Sequence, residues 1–300
     1  MSEGEESHQP VVDGPRVPAM DMHVHTNFSD AQITVPQLVE VAERRRYGIS
    51  VCDHNEIRGS IALWETGRAV TIPAIEIGSR ERMEFLLYFD SPEQLEDYYV
   101  HQVEPHKRSR FFAVLDRSFT TLVPSAKEYG AIVCLPHPFA PGWKNFNFNK
   151  SRKQLLMDPD FLKHLDLVEV INSHIADSRN FKAFMLSEIL DKSVSAGSDA
   201  HRVMEVGSAY LSFGQNLNFA EIHGLLKSRI KVGSDTRFKY SRTVGTSRGV
   251  ILNHLKLYFR KKDQARWMIP YESEAYDPTV MPDRRAGGER RRFIERRRER

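Results

Sequence analysis

Histidines and carboxylates recur in this chain at spacings that suit metal ions. His23 and His25 stand one residue apart, Asp30 follows, Asp53 and His54 are adjacent, and Asp199 and His201 repeat the one-residue gap. Glu76, His137 and His174 occur singly between them. On a strand, residues i and i+2 point to the same side, so each gapped pair can aim two donors at one point. Neighbours such as Asp53 and His54 diverge, which makes one a ligand and the other a partner or catalytic aid. Asp21, two before His23, is a further candidate for orienting an imidazole. Imidazole nitrogens combined with carboxylate oxygens suit zinc, manganese or iron. The cysteines, Cys52 and Cys134, close the apolar runs "ISVC" and "AIVC". They read as small buried hydrophobes, not as thiolate ligands or a disulfide.

Something must bring these residues together. Short apolar runs at 19–24, 48–53, 70–75, 84–89, 131–135, 166–171 and 193–197 read as strands; 35–46, 58–68, 119–129, 151–157, 178–190 and 219–229 read as helices. The first helix has Thr34 as N-cap and Pro36 in its first turn, and Leu38, Val39 and Ala42 form one face. Strand–helix alternation predicts a parallel sheet with helices outside, and seven such units suit a small or distorted TIM-like barrel. Six of the seven strands run into a metal-capable side chain at their C-terminal end. In a barrel or open parallel sheet those ends share one face, where active sites sit. Residues 232–270 are expected to add a strand or two around "GVILNHLKLYF".

The strings "DMHVHTNFSD", "CDHN", "PAIE", "LPHP", "NSH" and "GSDAH" occur in that order over residues 21–201. They resemble the successive motifs of the polymerase-and-histidinol-phosphatase (PHP) family. The resemblance implies a distorted seven-stranded (β/α) barrel with two or three divalent cations (Mn, Zn or Fe), usually hydrolysing phosphate esters. Carried onto matching positions, it implies that His23, His25, Glu76 and Asp199 hold a first metal. Glu76 would bridge to a second held by His137 and His174, and Asp30, His54 and His201 would hold a third. Glu76, Asp199 and His201 are the residues expected to take part in catalysis, with Asp199 or His201 assisting proton transfer. No position of the ligand set is missing, which separates this chain from degenerate members that serve as structural modules in polymerases.

Clustered cations suit phosphoryl hydrolysis because they activate water, align it opposite the leaving oxygen and neutralise charge on the phosphoryl oxygens. The expected reaction is hydrolysis of a phosphomonoester of a small metabolite or nucleotide. The alternatives are a phosphodiesterase or exonuclease on nucleic acid, a metallohydrolase of amides or carboxylic esters, and a metal-stabilised binding module without turnover. Lys144 and Arg202, each within a few residues of an expected ligand, are the preferred phosphate contacts. Trp143, Phe146 and Phe148 either line a pocket or anchor their own loop. Residues 90–118 form a long excursion, carrying His101 and His106, that is placed to wall the site.

Three parts are expected: a disordered leader over 1–18, a PHP-type domain over 19–270 with a C-terminal extension from about 203, and a flexible basic tail over 271–300. Residues 284–300 hold nine arginines against three glutamates, a charge of +6 that leaves −3 on residues 1–283. The body therefore gives no global case for nucleic acid, and the tail is a separate electrostatic object. Neither a secretory signal nor an apolar run long enough for a membrane span is present. The expected location is cytoplasmic, and the partner is a small phosphorylated substrate.

Overall fold

The computed structural model describes residues 15–108, 113–140, 158–228, 237–240 and 270–271. Its first strand, β1 (Val17–Val24), delivers the chain into the first histidine pair. Helix α1 (Val35–Arg45) follows, with Pro36 in its first turn and the Thr34 N–H donating to Gln37 Oε1 at 2.9 Å. Leu38, Val39, Val41 and Ala42 form its buried face, and it stops at Arg46, whose φ of 55° is left-handed. Then come β2 (Gly48–Val51), α2 (Arg58–Glu65), β3 (Ala74–Gly78) and β4 (Glu84–Tyr88). The excursion that follows contains α3 (Pro92–Tyr98), a wide helical turn over Tyr99–Val103 and a tight one over Glu104–His106. The remaining elements are α4 (Phe119–Glu128), β5 (Ile132–Leu135), the short α5 (Pro159–Leu162), β6 (Leu167–Asn172), α6 (Asp177–Ile189), β7 (Ser193–Gly197), β8 (Ala209–Leu217), α7 (Phe219–Lys227) and β9 (Arg237–Tyr240).

The strands form two sheets, ordered β2-β1-β8-β9 and β3-β4-β5-β6-β7. Both curve into a distorted barrel of the PHP type that is not fully closed. Isolated bridges join the sheets at Val24↔Ala200 and His54↔Glu76. Pairing is not all parallel, contrary to the expectation from strand–helix alternation. β3 and β4 form an antiparallel hairpin, β4 is also antiparallel to β5, and β8 is antiparallel to both β1 and β9. Only five residues separate β3 from β4, too few for the helical crossover that parallel strands require.

Two element expectations shift. The strand expected at 70–75 runs over Ala74–Gly78, so Glu76 lies inside the strand and not beyond its end. β8 was not expected, although Ala209, Leu211 and Phe213 alternate inward along it. The expected helix at 151–157 and the "GVILNHLKLYF" strand lie outside the described residues, as do residues 1–14 of the leader and 272–300 of the tail.

The larger core packs the second sheet against α3, α4 and α7 through Phe85, Phe89, Tyr98, Leu122 and Ile222. A smaller one lies under α1, around Ile33, Leu38, Ile49 and Val51. Both cysteines are buried and free, and burial raises the pKa of each thiol. No helix among the described residues is long and apolar enough to cross a membrane.

Candidate metal centre

β1 is buried along its C-terminal half and carries His23 into the interior, where its Nε2 lies 3.1 Å from Nε2 of His25. Two carboxylates close around this pair. Asp199 Oδ1 stands 3.1 Å from His25 Nε2 and 3.7 Å from His23 Nε2, and Glu76 Oε2 stands 3.4 Å and 3.6 Å from the same atoms. Four donors at a metal–ligand distance of about 2.1 Å are separated by about 3–4 Å when tetrahedral, and these separations match. Asp30, His54, His201 and the other face of His25 make a second group, with donor atoms within 4.8 Å of one another. There His201 Nε2 is 3.1 Å and His54 Nε2 is 3.8 Å from Asp30 Oδ2, while His25 Nδ1 is 3.8 Å from Asp30 Oδ1. Glu76 faces two ways: Oε2 approaches the histidines of β1 and, at 3.0 Å, His54 Nδ1, whereas Oε1 lies 3.3 Å from His137 Nε2.

The donors suit cations on two further counts. Among the described residues, the fully buried His25 Nδ1 finds no hydrogen-bond partner. Carboxylates are concentrated where burial disfavours charge, a cost that bound cations offset. Burial opposes ionisation of Glu76, yet His54 and His23 outweigh it and hold the carboxyl well below its ordinary range. Burial and the neighbouring His201 push His25 down to about 3, which leaves its imidazole neutral, the form that binds metal.

Hydrogen bonds fix the rings. His23 Nδ1 lies 2.9 Å from Glu169 Oε1, and the same carboxylate accepts the His137 N–H at 2.8 Å and Asn172 Nδ2 at 3.1 Å. Asn172 also donates to Asp199 Oδ2 at 3.3 Å. His201 Nδ1 lies 2.8 Å from the Asp199 carbonyl, a contact that leaves Nε2 facing Asp30. Asn55, His137 and Asp199 have φ values of 48°, 29° and 55°, a left-handed backbone that is uncommon outside glycine and concentrates at functional sites. Gly197 lets β7 approach β1, because a Cβ there would sit 2.3 Å from that of His23.

Other sequence expectations fare differently. Asp21 orients no imidazole: it accepts from the His23 N–H, the Ser198 N–H and hydroxyl, and the Gly207 N–H, tying β1 to the turn after β7. Burial raises its pKa to about 6 against those bonds. Of the adjacent pair, His54 joins the donors while Asp53 receives Thr26 and Ser29. His174 stands aside, with Nε2 3.7 Å from Glu205 Oε2 and its ring 6.3 Å from that of His201. The Arg202 side chain is exposed just beyond His201. Lys144, Trp143, Phe146 and Phe148 lie outside the described residues. His101 is exposed and pairs with Asp97, four residues earlier in α3. Glu169 and Glu205 are buried acids, and Glu84 a partly buried one, that the sequence reading passed over; the signal was a lone carboxylate beside or within an apolar run, as in "DLVEVI".

Residues 177–229 match the PHP-associated family model. An uncharacterized protein of Methanocaldococcus jannaschii is 30% identical over 200 residues, which are 65% of this chain and 70% of that protein. The chain belongs to the PHP family of metal-dependent phosphoesterases. Among solved structures, the lesion-specific endonuclease Q of Pyrococcus furiosus superposes with a TM-score of 0.55 at 19% identity, covering 73% of this chain and 57% of that one. A two-domain protein of Bacteroides vulgatus containing a predicted PHP-like metal-dependent phosphoesterase superposes with a TM-score of 0.52 at 15% identity, covering 85% and 74%. The PHP chain described here carries ligand sets for two to three divalent cations, and it is a metal-dependent hydrolase.

Proposed function

We propose that the chain is a metal-dependent phosphodiesterase that cleaves nucleic acid. The observation that carries this reading is the likeness of its fold to endonuclease Q, whose structure with a 27-mer duplex holds an abasic lesion at the active site. The small monoester, first in the sequence reading, becomes the second candidate. Two features of the chain support the change. Arg58 and Lys107, whose side chains are nearly fully buried, are both engaged by Glu56, at 2.6 Å and 3.2 Å, and are not available to a terminal phosphate dianion. The nine arginines of residues 284–300 also supply a polycation that complements a nucleic-acid backbone.

In this reading His23, His25, Glu76 and Asp199 would hold one cation, Glu76 and His137 would contribute to a second, and Asp30, His54 and His201 would hold the third. The mixed nitrogen and oxygen donors favour manganese, zinc or iron(II) over magnesium. Glu169 fixes the His23 ring, and Asp199 and His201, on the turn after β7, would border the scissile phosphate and assist proton transfer. Arg202, exposed at the rim, contacts a flanking phosphate.

Initial rates on matched substrates test the proposal. After chelation and reconstitution with manganese, zinc or iron(II), the protein is presented with a single-stranded oligonucleotide, an intact duplex, a duplex with one abasic site, a 5′-mononucleotide and a sugar phosphate. The expected outcome is a kcat/KM on one of the oligonucleotides at least about tenfold above that on either monoester, a difference of about 1.4 kcal/mol in transition-state stabilisation. The reverse ranking overturns the diester reading and reinstates the monoester.

A further inference from the structure

We infer that Glu84 is a metal ligand, supplying a second carboxylate to the cation position shared by Glu76 and His137. Among the described residues, one donor atom from each of His54, Glu76 and Glu84 lies within 4.8 Å of the others. Glu84 Oε2 is 3.7 Å from His137 Nε2, which in turn is 3.3 Å from Glu76 Oε1. These are again the separations of about 3–4 Å that ligands of one small cation keep. The Glu84 side chain is 8% exposed, so its charge is withdrawn from water.

The register of the hairpin explains how the two acids meet. Gly78 of β3 pairs with Glu84 of β4, and Glu76 pairs with Leu86. Residues 76 and 78 share a face of β3, so Glu76 and Glu84 are diagonal neighbours on the inward face of adjacent strands. Like charges so placed repel, more strongly when buried, and a cation between them turns the repulsion into a ligand set. His174 contributes little at this position, because its Nε2 lies beside Glu205, 3.7 Å away. The set Glu76, Glu84 and His137 carries more negative charge than one completed by a second imidazole. It therefore favours a harder cation, manganese or iron(II) over zinc, at this position.

The inference rests on the metal-dependent reading of the whole site, and the test separates the two. Wild-type protein, Glu84→Gln, Glu84→Asp and, as an exposed control, Glu93→Gln are stripped with chelator and titrated with Mn²⁺ by calorimetry, with bound metal counted by elemental analysis. Far-UV circular dichroism and thermal unfolding of the stripped proteins establish that each is folded. Glu84→Gln should weaken one equivalent by at least roughly tenfold and leave the others unchanged. Glu84→Asp should recover part of that loss, and Glu93→Gln should match wild type. Substitution with Co²⁺ gives a readout of ligation itself: the visible absorption of one site should change in Glu84→Gln. Should Glu84→Gln fail to fold, the Co²⁺ spectrum of Glu84→Asp decides, and a spectrum identical to wild type overturns the inference. Unchanged stoichiometry and affinity in folded Glu84→Gln also overturn it. A wild-type protein that binds no divalent ion would instead remove the metal reading beneath it.

Discussion

Nδ1 of His23 lies 2.9 Å from Oε1 of Glu169, and both side chains are fully withdrawn from solvent. The pairing fixes the ring so that Nε2 turns toward the donors of His25, Asp199 and Glu76, and the carboxylate raises the basicity of the imidazole. Glu169→Gln keeps the shape and removes the charge. It should weaken the cation held by His23 roughly 10- to 100-fold, measured by titrating stripped protein. Glu169→Ala also releases the His137 N–H and Asn172, so it should disturb the Glu76–His137 position as well. Equal affinity in wild type and Glu169→Gln would count against the orienting role.

Gly197→Ala places a methyl 2.3 Å from Cβ and 2.7 Å from the backbone nitrogen of His23. Relief requires separating β7 from β1 where both carry ligands. Thermal unfolding should show a loss of about 1–3 kcal/mol, and metal stoichiometry should fall with it. Unchanged stability would mean that the strands separate freely here.

Glu76→Gln removes negative charge from the residue whose two oxygens face different donor groups. Wild-type protein purified without chelator should carry at least about two equivalents of metal. The variant should lose the ions beside His23 and His137 at lower chelator concentration than the ion beside Asp30 and His201. Simultaneous loss of every ion would argue against a bridge.

His223 on α7 offers a pH prediction remote from the metal donors. Burial lowers its pKa and prevails over the Asp90 carboxylate 2.6 Å away, with Lys227 adding to the lowering. The unfolded chain takes up a proton near pH 6.5 that the folded chain resists, so the unfolded state binds more protons as the pH drops. Stability should be fully present above about pH 6.5 and decline below it. Melting temperatures of wild type and His223→Gln should converge toward acid pH; parallel curves would assign the decline to other groups.

Deletion of residues 284–300 should leave metal content unchanged, weaken oligonucleotide binding at low salt and flatten its salt dependence, because nine arginines leave with the segment. Identical salt slopes would separate the tail from substrate binding.

The donor set was legible because ligands come in short sequence units. His23-x-His25 and Asp199-x-His201 need only a strand for their geometry to be read. Glu84 and Glu169 were not legible in that way: each acts through a partner on another strand, and a lone acid beside an apolar run gives no hint of which one. β1, β2 and β7 could be read from their apolar runs. The antiparallel β3–β4 hairpin could not be distinguished from parallel neighbours by composition, and only its short connection would have told them apart. β8 was hidden because its outward positions, Ser212 and Gln215 among them, dilute the apolar signal.

Among the described residues, two isolated bridges, Val24↔Ala200 and His54↔Glu76, link the sheets, and each adjoins metal donors. His23 and His25 come from one sheet and Asp199 from just beyond the other, while Asp30 and His54 face Glu76 and His201 across the same divide. An ion gripped by these residues is a rivet between two half-shells as well as a reagent. Its binding energy is spent partly on keeping the halves shut. Evolution cannot then tune the ions for chemistry alone: a substitution that loosens one to speed turnover also unfastens the shell, so rate and endurance are set by the same few atoms.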